Sequence, residues 1–154
     1  GFAATDLATI MRDVCEFYEP LAADKEQKVS VALPPSCPGV FDRDLLFQAF
    51  ANLLDNAIKY APPGGCIEVR LDAGTDVATV SIADDGPGIP AAERDRVFQR
   101  FYRVEASRSG HPGNGLGLSL VQAVINLHGG GVQLGDNAPG LRVTVWLPRV
   151  AAPA

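Results

Sequence analysis

Residues 52 to 60 read Asn52-Leu53-Leu54-Asp55-Asn56-Ala57-Ile58-Lys59-Tyr60. Turned through about 100° per residue, this stretch and its flanks divide cleanly. Leu46, Ala49, Phe50, Leu53, Leu54, Ala57, Ile58 and Tyr60 share one broad apolar face, while Gln48, Asn52, Asp55, Asn56 and Lys59 gather on the opposite arc. The spacing predicts a helix from about Arg43 to Tyr60, closed by Pro62, Pro63 and Gly64, with its apolar face on a sheet. The polar arc is the unusual part. Asn is a weak helix former, yet two of them stand at i and i+4 with a Lys one turn on. The bland reading is a solvated face. The sharper one is a seat for a cation carried by a phosphate chain, because Asn carbonyl oxygens can ligate Mg²⁺ and an ammonium meets phosphate as a point charge.

On the N-terminal side, Leu7, Ile10, Met11, Val14, Phe17, Tyr18 and Leu21 recur at helical spacing behind Asp6 as an N-cap, and Pro20 is expected to bend or break the last turns. A short strand is expected at Val29, Val31 and Leu33, then a turn at Cys37 to Gly39. On the C-terminal side, Cys66–Leu71 and Val77–Ala83 read as strands joined by a turn at Ala73 to Asp76. Ala91–Arg103 and Leu116–Leu127 read as helices, and Val132–Leu134 with Leu141–Leu147 as a closing strand pair. Strands interleaved with helices imply an α+β, two-layer α/β sandwich: a mixed sheet with helices on one face. Residues 1–150 form one domain in this reading, and Val150 to Ala154 a frayed tail.

The 154 residues include 18 acidic and 13 basic side chains, a net charge of −5. That balance argues against a nonspecific nucleic-acid or membrane-surface binder. From Ser109 to Gly135 there is no Asp, Glu, Lys or Arg, but Pro112, seven glycines up to Gly131 and several amides in that stretch are wrong for a membrane span. Cys15, Cys37 and Cys66 are odd in number and widely spaced, so neither a disulfide framework nor a zinc site is indicated, and a reducing cytoplasm is the simplest home.

Eleven of the sixteen glycines lie between Gly86 and Gly140. The strand ending at Ala83 runs into Asp84-Asp85-Gly86-Pro87-Gly88-Ile89-Pro90. This is an ordinary turn, or a carboxylate able to accept from an amino group on a flat heterocycle beside glycines that permit close approach. Further on, Gly113-Asn114-Gly115-Leu116-Gly117-Leu118 opens a helix, whose free N–H groups favour phosphate. It is neither a dinucleotide fingerprint nor a Walker loop. Arg94, Arg96, Arg100, Arg103 and Arg108 precede it, either as a balanced helix face or as part of a site for a small anion. His128-Gly129-Gly130-Gly131 is read as a helix end turning into a strand, with His128 structural.

Taken in order, the Asn52–Tyr60 segment, Asp84-Asp85-Gly86-Pro87-Gly88, Phe98-Gln99-Arg100-Phe101-Tyr102-Arg103 and Gly113-Asn114-Gly115-Leu116-Gly117-Leu118 resemble the N, first glycine, F and second glycine boxes of sensor histidine kinase catalytic domains, members of the GHKL superfamily. The resemblance spans about Thr5 to Pro148. It implies the Bergerat ATP-binding fold, a mostly antiparallel sheet under about three helices, with ATP and Mg²⁺ between the N-box helix and a lid at about Val104 to Asn114. It makes Asn56 the Mg²⁺ ligand, with Asn52 near metal and phosphates. Lys59 would contact phosphate, Tyr60 would lie against the adenine, and Asp84 would accept from the adenine amino group, with Gly86, Gly88 and Ile89 beside the base. Arg103 would reach the terminal phosphate, with Arg108 a further candidate. Gly113, Asn114, Gly115, Leu116, Gly117 and Leu118 would hinge the lid and face the phosphates, and Phe98 and Phe101 would anchor it by packing.

The same resemblance implies transfer of the ATP γ-phosphoryl group to a His on a separate upstream dimerisation domain. His111 and His128, the two histidines present, do not stand in the expected acceptor context, so an excised catalytic domain is expected that binds ATP but barely autophosphorylates alone. The implied partners are that missing domain and a downstream response regulator. The expected domain is cytoplasmic and monomeric, within a homodimeric parent anchored in the inner membrane. Two rivals stand beside this. GHKL ATP hydrolases place a water-activating Glu where Asn52 stands here, and an amide is no base at neutral pH. An anti-sigma-type serine kinase or nucleotide-binding switch would use much the same boxes.

Overall fold

The computed structural model describes residues 1–88, 92 and 118–150. Ten elements are formed by these residues: β1 (Ala3–Asp6), α1 (Leu7–Asp24), β2 (Lys28–Ala32), β3 (Pro38–Phe41), α2 (Arg43–Tyr60), β4 (Cys66–Ala73), β5 (Val77–Asp84), α3 (Leu118–Leu127), β6 (Gly131–Asp136) and β7 (Leu141–Pro148). The main sheet has the order β2-β4-β5-β7-β6. β2 pairs with β4 in parallel and every other pair is antiparallel, so the expected mixed, mostly antiparallel sheet is what forms.

Alternation puts one sheet face in the core. Ile67, Val69 and Leu71 of β4, Ala78, Val80 and Ile82 of β5, and Leu141, Val143, Val145 and Leu147 of β7 are buried. Their registers align Val69 with Ile82 and Ile82 with Val143, a continuous apolar layer of the kind that a period of two produces. Against it lie Leu46, Phe50, Leu53, Leu54, Ala57 and Ile58 of α2, Ile10, Met11 and Val14 of α1, and Val121, Val124 and Ile125 of α3, all in one core cluster. The outer sheet face carries Glu68, Arg70, Ser81, Arg142 and Thr144, with Arg142 3.6 Å from Glu68.

Two expectations are corrected. Pro20, expected to bend or break the last turns, does not end α1, which continues to Asp24. Pro20 is exposed, so water can serve the carbonyl that its missing N–H leaves behind. The buried Ala22 and the cap at Lys25, where the Lys25 N–H donates to the Ala22 carbonyl at 3.1 Å and the Glu26 N–H to the Ala23 carbonyl at 2.9 Å, hold the last turn. The segment taken for a turn at Cys37 to Gly39 instead enters β3, which pairs antiparallel with β1 in a separate two-stranded sheet. Asp6 is the N-cap of α1 as expected. Its Oδ1 accepts from Ala8 at 2.9 Å and also from the Cys37 N–H at 2.8 Å, so one carboxylate fixes both the helix start and the incoming β3.

α2 is held at both ends. Asp42 caps its start by accepting from Leu45 at 3.1 Å, and that bond holds the Asp42 carboxyl below its usual range. At the other end, Lys25 Nζ donates to the carbonyls of Ile58 at 2.7 Å, Lys59 at 3.2 Å and Ala61 at 3.1 Å. The Gln27 side-chain amide donates to those of Ile58 at 2.9 Å and Ala61 at 3.1 Å. These are the carbonyls that a helix C-terminus leaves without intrahelical partners, and a cation there also suits the helix dipole. Lys25→Met keeps the aliphatic stem and removes the donor. It should cost about 1–2 kcal/mol, read as a lower denaturant midpoint at unchanged m-value; a midpoint within error of the parent would show that Gln27 alone suffices.

The histidine assigned a structural role has one. His128 is buried; its Nε2 accepts from the Asp42 N–H at 3.0 Å, and its Nδ1 is 2.8 Å from the Val124 carbonyl. A carbonyl only accepts, so the proton sits on Nδ1 and the ring is neutral. Gly129, at φ 77, then turns the chain from α3 into β6.

Candidate nucleotide site

α2 crosses the sheet so that its polar arc lies beside the end of β5. Asn56 of α2 and Asp84, the last residue of β5, line one small cleft whose walls are Leu53, Ala57, Ile82, Leu118, Leu141 and Val143. Six apolar walls with one amide and one carboxylate have the chemical make-up of a base pocket, and in this structure the cleft is nearly closed, with about 10 Å³ of open space. Asp84 is 3% exposed, and its Oδ1 accepts from the Gly86 N–H at 2.9 Å. A carboxylate offers about four lone-pair positions, and this bond takes one of them and orients the group.

The loop after Asp84 is wedged between two other backbones. A Cβ at Gly86 would overlap the Tyr60 carbonyl at the end of α2, and one at Gly88 would come to 3.0 Å from the Gly140 carbonyl. The path of this loop therefore requires glycine at position 86 whether or not a base lies beside it. Asp85, which the sequence did not single out, ties the same loop to the sheet: its Oδ2 accepts from the Cys66 N–H at 3.0 Å. Tyr60 is half-buried where α2 ends.

The rest of the polar arc is arranged differently. Lys59 is exposed and 2.8 Å from Asp55 one turn earlier. That hydrogen bond raises the ammonium above its usual value, so Lys59 stays cationic over the neutral range. Asn52 and Asp55 border a second, more open hollow with Phe17, Tyr18, Phe47, Gln48, Ala51 and Leu120. Among the described residues, then, Asn56 and Asp84 share a cleft, and Asn52, one turn earlier on α2, borders the other hollow. Ile89, Arg103, Arg108, Gly113, Asn114, Gly115, Leu116 and Gly117 lie outside the described residues, as do Phe98, Phe101, His111 and the predicted lid. Leu118 opens α3 as described and is a buried wall of the cleft.

Among the described residues no group of three or more His, Cys, Asp or Glu side chains could hold a metal. An Mg²⁺ ion fits all the same, since it keeps several waters and binds through substrate phosphates with only one or two protein oxygens. Asn56, with Asn52 one turn away, could supply those oxygens. The three cysteines are free, and burial, with Glu16 adding to it, pushes the Cys15 thiol up to about 11.

A five-stranded sheet under three helices, with a carboxylate at a strand end and an amide on the crossing helix lining one cleft, makes a two-layer α/β sandwich. Residues 41–151 match the family described as histidine kinase-, DNA gyrase B-, and HSP90-like ATPase. The chain belongs to that family. It is 37% identical over 143 residues to the sensor protein IrlS of Burkholderia pseudomallei, covering 92% of this chain and 30% of that protein. A solved mycobacterial sensor histidine kinase MprB is 36% identical, with a TM-score of 0.82 over 97% of this chain and 100% of that one. The catalytic domain of histidine kinase ThkA is alike in fold, with a TM-score of 0.88 at 23% identity over 97% of this chain and 99% of that one. The chain spans about a third or less of the curated sensor kinases it matches. Among the described residues no helix is long and apolar enough to cross a membrane.

Proposed function

We propose that this chain is the catalytic domain of a sensor histidine kinase, binding Mg²⁺-ATP and passing its γ-phosphoryl group to a His on a separate dimerisation domain. The observation that carries the reading is the shared cleft of Asn56 and Asp84. In this reading Asp84 would accept from the adenine amino group, Asn56 and Asn52 would hold the metal, Lys59 would meet phosphate, and Tyr60, Gly86, Gly88 and Ile89 would flank the base. Arg103 and Arg108 reach the phosphates, and the 113–118 segment faces them. Asn56 and Asn52 would hold Mg²⁺, which when bound would supply neutralisation of the charge that develops on the phosphates. The protein's own part is positioning and electrostatic stabilisation, which phosphoryl transfer chiefly requires.

Hydrolysis is the weaker reading, because Asn52 cannot take a proton from water. His128 is no acceptor: both ring nitrogens are engaged and the side chain is buried. The phosphorylated His then lies on the dimerisation domain of a homodimeric, membrane-anchored parent whose kinase portion is cytoplasmic. A response regulator receives the phosphoryl group, nucleic acid is no partner, and the isolated domain is a monomer. The test is transfer of radiolabelled γ-phosphate from ATP to a dimerisation domain from a relative. Acid-labile, base-stable label is expected; acid-stable label would point to a serine kinase, and brisk release of free phosphate to a hydrolase.

A further inference from the structure

Asp84 ends β5 one residue beyond the last β5–β7 pair, Ala83 with Arg142, and a side chain from the β6–β7 turn takes over there. Asn137 Nδ2 donates to the Asp84 main-chain carbonyl at 2.8 Å. Asn137 Oδ1 accepts from Arg142 Nη2 at 3.0 Å, and Arg142 is 3.6 Å from Glu68 on β4. A carbonyl only accepts and a guanidinium only donates, so these two partners fix the orientation of the amide without ambiguity. The turn itself is closed by the Asn137 N–H on the Gly140 carbonyl at 3.0 Å, and Asp136 Oδ1 accepts from Ala138 at 3.0 Å. Gly140 lies so near that a Cβ there would overlap the Asp84 carbonyl. The peptide that follows Asp84 is therefore held on its β7 side by Asn137 and Gly140, while its side chain is held by the Gly86 N–H.

We infer that Asn137 is a positioning residue for base selection, setting the Asp84 carboxylate at the angle that accepts from an exocyclic amino group, with Arg142 and Glu68 steadying it from behind. The inference rests on the reading of Asp84 as the base acceptor. A hydrogen bond to a substrate N–H discriminates only if its acceptor is preorganised, because a carboxylate free to turn loses direction to water. Asn137 acts on the Asp84 main chain, so its effect is confined to the group that reads the base.

The experiment compares binding of Mg²⁺-ATP and of purine riboside 5′-triphosphate, which lacks the amino group, by calorimetry on the whole chain. Asp84→Ala is expected to abolish the parent's preference for ATP. Asn137→Ala is expected to cut that preference on the order of tenfold, with purine riboside triphosphate affinity within about twofold of the parent and an unchanged melting profile. Asn137→Gln, which keeps both polar groups, should recover part of the preference. Should Asn137→Ala prove unstable, Arg142→Met, which releases the amide oxygen, should reduce the preference in the same direction. Equal weakening of both nucleotides by Asn137→Ala, or no change in either, would reduce Asn137 to a turn-former and overturn the inference. A preference for ATP that survives Asp84→Ala would overturn the base-acceptor reading, and this inference with it.

Discussion

Replacing Asn56 by Ala should lower phosphoryl transfer to a supplied dimerisation domain by at least about 100-fold, the scale on which a metal site responds to a lost ligand or orienting group. The side chain is half-exposed on α2, and its loss leaves the apolar face of the helix untouched, so the thermal transition should move by less than about 0.5 kcal/mol equivalent. The split between the two readouts is the point. A variant that melts like the parent and transfers at the parental rate would remove Asn56 from the metal site. Asp84→Ala offers a contrast, since it should weaken nucleotide binding while leaving the phosphate end of the site intact. Loss that saturating ATP restores belongs to the base. Loss that persists at saturation belongs to Asn56 and the phosphates.

The second large effect is on stability. Phe50→Ala should destabilise the domain by about 3–5 kcal/mol, the usual cost of emptying a buried aromatic position. Phe50 is fully buried on the helix face that meets the sheet, and the same face carries Leu46, Leu53 and Leu54. For a chain of this length the melting temperature should fall by roughly 10–15 °C. Urea unfolding should show a lower midpoint at constant m-value. A fall of under 1 kcal/mol would mean that the helix–sheet seam closes over the gap, and would weaken the claim that α2 is held rigidly against the cleft.

Most of this fold could be read from periodicity. α2 has the bounds its apolar stripe predicts, and β4, β5 and β7 show the alternation of a sheet buried on one face. What escaped has a common physical cause: partners distant in sequence. β1 and β3 are four residues each with no alternation to see, and β3 opens on Pro38-Gly39, which by itself spells a turn. It is a strand because β1 pairs with it and because Arg149 reaches it, Nε to the Pro38 carbonyl at 3.0 Å and its own carbonyl to the Val40 N–H at 2.9 Å. Pro20 was misjudged because an exposed proline late in a helix costs less when the following turn is anchored elsewhere. Within the site, Asn56, Asp84 and Gly86 were legible from residue type and order. Asp85, Asn137 and Arg142 were not: Asp85 and Asn137 bond main-chain groups of Cys66 and Asp84, Arg142 bonds the Asn137 side chain, and none of these contacts leaves a mark on its own neighbours in the sequence.

The three carbonyls gathered by Lys25 also link parts of the molecule that share no function. The last turn of α2 carries Lys59 and Tyr60, yet what closes it is the short connection between α1 and β2, a surface segment over 30 residues earlier. Opening of that connection frees the end of α2, and fraying of α2 frees Lys25, so the two behave as one cooperative unit in native-state fluctuations. The stiffness of the nucleotide helix at its working end is therefore an inherited property, set by a loop that never meets the nucleotide.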